Sequence, residues 1–186
     1  MSKIVFTGAQ GTGKTTILEK FKQDSYEVIT EVVRNLAKQG ININKDGDET
    51  GQQTIFNTYK NLLESTENYV SDRCLIDVTA YTIYLHKQGK ISEEFTDEMI
   101  RQLHQFTTQN PDIIYCYFPI EFPVVGDGVR DMDEEFRKEI DEIILSLLKL
   151  LKIRFVPVIG SEEERYKVIR AVEELYMALN KITIKL

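Results

Sequence analysis

The residues best suited by type and spacing to do chemistry lie near the start of the chain, in the run Gly8-Ala9-Gln10-Gly11-Thr12-Gly13-Lys14-Thr15-Thr16. It contains a complete G-x-x-x-x-G-K-[ST] pattern. The apolar Ile4-Val5-Phe6 precedes it and the helix-like Ile17-Leu18-Glu19-Lys20-Phe21 follows, which is the strand-loop-helix setting that a phosphate-binding loop requires. Glycines let consecutive backbone N–H groups turn inward around phosphate oxygens, and the following helix offers its positive N-terminal end to the same anion. Gly8, Gly11, Thr12, Gly13, Lys14, Thr15 and Thr16 are therefore expected to hold a nucleoside triphosphate such as ATP. Lys14 would reach the β- and γ-phosphates, and the Thr15 hydroxyl is placed to ligate Mg²⁺.

Transfer of a phosphoryl group also needs a carboxylate, as a base for an acceptor hydroxyl or as a holder of the metal, and the loop supplies none. In a parallel sheet the carboxyl ends of the strands open on one side, so residues just after the second and third strands face the loop. That selects Glu31 and Asp72. Glu31 opens Glu31-Val32-Val33-Arg34, an acid and a base three apart at a helix start; its plainer reading is a helix N-terminal acid with a surface partner. Asp72-Arg73 follows the third strand, with Asp77 a few residues on. Asp77 reads as an N-cap, or, if Cys74-Leu75-Ile76-Asp77 ends a longer strand, as the metal carboxylate in place of Asp72. The roles of general base and metal ligand stay open among Glu31, Asp72 and Asp77.

The elements that must position these groups alternate. Strand-like runs at Lys3–Thr7, Tyr26–Thr30, Asn68–Asp72, Asp112–Phe118 and Ile153–Val158 are separated by helical segments, which predicts a three-layer α/β/α fold around a five-stranded parallel sheet. Phe136, Ile140, Ile143, Ile144, Leu147, Leu148 and Leu151 keep helical spacing, as do Ile169, Val172, Leu175, Tyr176 and Leu179. Ile55, Phe56, Tyr59, Leu62 and Leu63 do the same within a helix read from Gln53 to Glu64. A polar Gly40–Gly51 loop precedes that helix, and Pro119–Asp133 reads as a surface connection. With 186 residues, one domain is expected, and no run approaches the ~18 apolar residues of a membrane span. Cys74 and Cys116 form no disulfide or zinc pattern, and the N-terminus shows no signal-peptide core, so a soluble cytoplasmic protein is expected. A net charge of −7 opposes a broad nucleic-acid footprint.

Together these residues resemble the P-loop nucleoside and nucleotide kinases, specifically the small AAA-like group related to thymidylate kinase and ribosylnicotinamide kinase, often encoded by bacteriophages. Asp72-Arg73-Cys74-Leu75-Ile76-Asp77-Val78-Thr79-Ala80-Tyr81 is similar to the family's D-R stretch followed by A-Y, and Glu31-Val32-Val33-Arg34 to its acid-x-x-Arg element. The resemblance implies that Asp72, Arg73, Glu31 and Arg34 contact acceptor and phosphates. It implies a lid over about 119–133, with Arg130 of Asp127-Gly128-Val129-Arg130-Asp131 closing over the transferring group and Arg137 as second candidate. A surface ion pair is the plainer reading of Arg137. Tyr81 is a candidate for stacking an acceptor base, although aromatic stripes more often build core. The Arg-Glu-Pro run that marks typical thymidylate kinases after the second strand is absent, which argues against thymidylate as acceptor.

The expected activity is ATP-dependent, Mg²⁺-assisted transfer to a nucleoside or nucleoside monophosphate. The alternatives are a polynucleotide or modified-base DNA kinase and a nucleotide-dependent switch ATPase. The sequence leaves homodimerisation open. His86, His104 and Cys116 are expected to be packing residues.

Overall fold

The computed structural model describes residues 1–22, 24–123 and 133–183. Five parallel strands, β1 (Lys3–Thr7), β2 (Glu27–Ile29), β3 (Tyr69–Asp72), β4 (Ile113–Tyr117) and β5 (Phe155–Pro157), lie in the spatial order β2-β3-β1-β4-β5. Helices α1 (Lys14–Phe21), α2 (Val32–Lys38), α3 (Glu49–Ser65), α4 (Leu75–Lys87), α5 (Glu93–Gln109), α6 (Glu134–Leu150) and α7 (Glu162–Thr183) connect or follow them. The expected α/β architecture is what forms.

Alternation along β1 explains the layering. Ile4 and Phe6 point to one face, where they meet Ile17, Leu18 and Phe21 of α1 and Ile169 of α7. Val5 points to the other, into the larger core shared by α3, α4, α5 and α6. β4 is buried at every residue, as a central parallel strand must be when helices cover both faces. Phe6 packs on Phe118 with ring centroids 4.9 Å apart, filling the space between β1 and the end of β4.

Helix starts are fixed by local chemistry. Asp48, Ser92 and Asp133 accept the backbone N–H groups of Gly51, Phe95 and Phe136, and so cap α3, α5 and α6. The Gly40–Gly51 loop is shorter than its composition suggests, because it contains a 3₁₀ turn at Asn44–Asp46 and α3 begins at Glu49 rather than Gln53. The reading of Cys74–Asp77 as a strand end is corrected. β3 stops at Asp72, Cys74 is the N-cap of α4, and the Asp77 carboxylate reaches back to the Cys74 N–H at 3.0 Å as the third helical residue.

Strand register delivers the site. Phe6 is level with Asp72 on one side and with Cys116 on the other, so the loop leaving β1 and the acid ending β3 emerge side by side.

Candidate active site

The phosphate loop runs from Gly8 to Gly13 with positive φ at Gly8, Gly11 and Gly13, and Gly13 leads directly into α1. A Cβ at Gly8, where φ is 138°, would collide with the carbonyl of Phe118. Gly8→Ala is therefore expected to displace the loop and to weaken ATP binding by at least about tenfold; titration of the variant with ATP checks this, and unaltered affinity would contradict it.

Lys14 lies folded into the loop. Its Nζ donates to Gly8 O at 2.8 Å, Ala9 O at 2.7 Å and the Thr12 hydroxyl at 3.1 Å. Burial is the main cause of a pKa lowered to about 8, with Arg73 lowering it further and Asp72 and Asp77 opposing. A polyphosphate would restore the charge. Because the free protein holds Lys14 near 8, binding of ATP at pH 9 should take up close to one proton, whereas at pH 6.5 Lys14 is already charged and contributes no uptake. Calorimetric titration in buffers of different ionisation enthalpy reads that uptake directly, and an enthalpy independent of buffer at pH 9 would refute it.

Thr15 and Asp72 meet as register requires: the Thr15 hydroxyl donates to Asp72 Oδ2 at 2.9 Å. A hydroxyl and a carboxylate, both hard oxygen donors at the mouth of a phosphate cradle, fit Mg²⁺, which takes a few protein oxygens and completes its shell with phosphate and water. Among the described residues no cluster of three or more His, Cys, Asp or Glu side chains could hold a metal by itself. Tyr59 donates to the Asp72 backbone carbonyl at 3.2 Å and so holds the end of β3 from α3.

Arg73 and Glu31 both occupy the left-handed region, at φ 82° and φ 60°. Non-glycine residues adopt it at a cost, and such strain is concentrated at functional sites. Arg73 Nη1 is buried without a hydrogen bond, 3.5 Å from Asp77 Oδ1, and the guanidinium lies 5.7 Å from the centre of the Tyr81 ring. A buried donor atom without a hydrogen bond costs free energy, and here the nearby Asp77 carboxylate offsets part of that cost through charge alone. Asp77 is buried, with its pKa raised chiefly by desolvation and pulled back by Arg73 and Lys14. Glu31 forms an exposed two-oxygen ion pair with Arg34 Nη1, at 3.1 and 3.0 Å.

These groups line one cavity of about 350 Å³. Its lining joins the loop residues Gln10 to Thr16 and the charged Glu31, Arg34, Asp72, Arg73 and Asp77 to the apolar Val32, Ile43, Ile55, Val78 and Tyr81. Every expected site residue among those described lines it except Gly8 and Arg137. Gly8 shapes the loop from behind. Arg137, expected either to reach the substrate or to pair at the surface, lies outside the cavity wall and is 1 % exposed; it does pair with the half-exposed Glu134, at 3.3 Å, but its guanidinium is buried and also bonded to the carbonyls of Gln10, Gly11 and Phe122. Arg130 lies outside the described residues, as does most of the expected lid.

Two contributors escaped the sequence reading. Gln52 is 2 % exposed, lines the cavity, and its side-chain carbonyl accepts from Thr82 at 3.2 Å. Its signal was available: Gln52 lies three before Ile55 and seven before Tyr59, a polar residue on an apolar helical stripe, but it fell outside the helix as read. Arg165, whose guanidinium donates to Thr12 O at 2.6 Å, carries no comparable signal. Of the three residues expected to pack, Cys116 is fully buried and His86 is half-buried with Nδ1 3.0 Å from the Ile91 carbonyl, whereas His104 is exposed on α5.

A glycine loop between a central strand and its helix, with lysine inside and a hydroxyl-carboxylate pair at its mouth, on a parallel sheet ordered 2-3-1-4-5, defines a P-loop protein of the nucleoside and nucleotide kinase fold. The profile of an AAA-domain family matches residues 3–165, and the chain belongs to that family. Among solved structures it is similar to NadR protein in complex with NR, with 19 % identity over 93 % of this chain and a TM-score of 0.71. The chain spans about half of that protein, 51 % of its length. It is similar to deoxyadenosine kinase from M. mycoides with bound dATP, at 17 % identity, 92 % of this chain, 99 % of that one and a TM-score of 0.69. Thymidylate kinase from Candida albicans aligns at 13 % identity over 94 % of this chain and 91 % of its own, with a TM-score of 0.59. No curated protein matches by sequence. Among the described residues no helix is long and apolar enough to cross a membrane.

Proposed function

We propose that the protein transfers the γ-phosphoryl group of ATP to a nucleoside or nucleoside monophosphate. One observation carries the reading: the phosphate loop shares its cavity with the apolar side chains of Val32, Ile43, Ile55, Val78 and Tyr81, and Asp72 and Arg73 line the same cavity. A site that only hydrolysed a triphosphate would have no need of that apolar wall. The kinase fold of the relatives, including a deoxyadenosine kinase and a thymidylate kinase, supports it.

In this reading the inward-facing loop amides and Lys14 hold the β- and γ-phosphates. Thr15 and Asp72 would hold Mg²⁺, which when bound neutralises charge on the phosphates. The acceptor lies against Ile55, Val78 and Tyr81, and Arg73 meets an oxygen of the acceptor or of the group in transfer. In the same reading Glu31 or Asp72 takes the proton of an attacking hydroxyl. Arg130 is retained, from the family resemblance, as the cation that closes over the transferring group, on a lid that is part of a single domain.

The test follows label from [γ-³²P]ATP with Mg²⁺ into nucleosides, nucleoside monophosphates, ribosylnicotinamide and 5′-hydroxyl or hydroxymethyl-bearing oligonucleotides. Labelled small-molecule product supports the proposal. Product only on oligonucleotides replaces it with a nucleic-acid kinase, and release of phosphate that ignores every acceptor replaces it with a switch ATPase.

A further inference from the structure

The phosphate loop is gripped from behind by two buried arginines that the transfer chemistry does not use. Arg137 of α6 donates from Nε to Gln10 O at 2.9 Å and from Nη2 to Gly11 O at 3.2 Å. Arg165 of α7 donates from Nη1 to Thr12 O at 2.6 Å. Three consecutive loop carbonyls are thus each held by a guanidinium, and the two residues are 1 % and 3 % exposed.

A trans peptide is planar, with its C=O and the next N–H on opposite sides. Fixing the carbonyls of Gln10, Gly11 and Thr12 outward therefore fixes the N–H groups of Gly11, Thr12 and Gly13 toward the cavity. Among the described residues no acceptor is bonded to those three N–H groups. Each guanidinium also polarises the amides it holds, strengthening the donors on their far side, and adds positive charge behind a site for a polyanion. The left-handed φ values of Gly11 and Gly13, 69° and 84°, are the backbone turns that this arrangement requires.

We infer that Arg137 and Arg165 are positioning residues that set the inward-facing amide cradle for the triphosphate, so that phosphate affinity depends on their forked geometry as well as on their charge. Lysine cannot reproduce the fork. The same pair ties the chain after β4 to the loop: Arg137 Nη1 donates to Phe122 O at 2.9 Å, and Arg165 Nη2 pairs with Glu121 while its Nε donates to Gly160 O at 2.9 Å. Arg165 also lies under the Phe122 ring, 5.2 Å from its centre.

The inference rests on the reading of the loop as a triphosphate site, and the experiment separates the two. Equilibrium binding of Mg-ATP and of inorganic tripolyphosphate, which lacks base and sugar, is measured for the wild type, Arg165→Lys, Arg165→Gln and Arg137→Lys, at a temperature well below each melting point. Wild type that binds neither ligand ends the phosphate-site reading and this inference with it. With binding wild type, folded variants should lose at least about tenfold in affinity for both ligands; affinities within twofold of wild type would show that the arginines only pack the fold. A measurement on wild type serves if the variants do not fold. In ¹⁵N-resolved spectra tripolyphosphate should shift the Gly11, Thr12 and Gly13 amides while the Arg137 and Arg165 Nε–H signals stay slow to exchange. Loss of that protection on binding would mean that the guanidiniums leave the carbonyls, and would overturn the assignment.

Discussion

Lys14→Ala is expected to reduce phosphoryl transfer by at least a hundredfold, the largest single effect in this protein. A well-placed charge-stabilising donor contributes about 3 kcal/mol to a transition state, and here the group lies at the centre of the cradle. Nζ is within 2.8 Å of Gly8 O and 2.7 Å of Ala9 O, so alanine removes both the cation and the bonds that hold the first turn of the loop. Arginine does not substitute, because the buried space that accepts an ammonium is closed by those two carbonyls and the Thr12 hydroxyl. Steady-state transfer from ATP to the preferred acceptor provides the measurement; an alanine variant within a few-fold of wild type would remove the loop from the chemistry.

Asp72→Asn is expected to come second, at roughly a hundredfold in transfer, with the fold intact. An asparagine oxygen still accepts from the Thr15 hydroxyl, and Tyr59 still donates to the backbone carbonyl, so the end of β3 stays in place. What is lost is the negative charge. The metal requirement should therefore rise steeply while binding of ATP without Mg²⁺ stays within a few-fold of wild type. Titration of activity with Mg²⁺, paired with metal-free binding, distinguishes this from general damage. Equal losses in both would point to a structural role for Asp72, and unchanged activity would move the carboxylate function to Glu31.

The ordering of these effects follows from position along the cavity. In the proposed reaction Lys14 and Asp72 act where charge changes during transfer, whereas Ile55, Val78 and Tyr81, which line the same cavity, would govern which acceptor enters. Substitutions there should alter acceptor preference before they alter the handling of ATP.

Much of this was legible without coordinates, and the reasons are local. The loop announces itself because its requirements are sequential: glycines where φ must be positive, a lysine long enough to fold back, a hydroxyl next to it. Asp72 and Glu31 were found because parallel strands place their carboxyl ends on one rim, a rule that needs only the order of elements. Asp77 was harder. Its neighbours are apolar enough to extend a strand, and only the reach of its carboxylate to the Cys74 amide shows it to be a helix residue.

Gln52 and the two arginines mark the boundary of that legibility. Arg137 lies 126 residues from Gly11 and Arg165 lies 153 from Thr12, and each donates to a backbone carbonyl, a partner that every residue possesses. Sequence can specify side chains that recognise side chains, or a ligand whose chemistry is known in advance, but a bond to main-chain oxygen leaves no trace in the identity of its acceptor. By itself, then, the sequence determined the alternation of strand and helix, the phosphate loop and the acids at the strand ends, because each depends on neighbours in the chain. The tertiary structure alone decided which face of α6 and α7 presses on that loop, because packing two distant helices against one turn is set by the whole core and not by any local run.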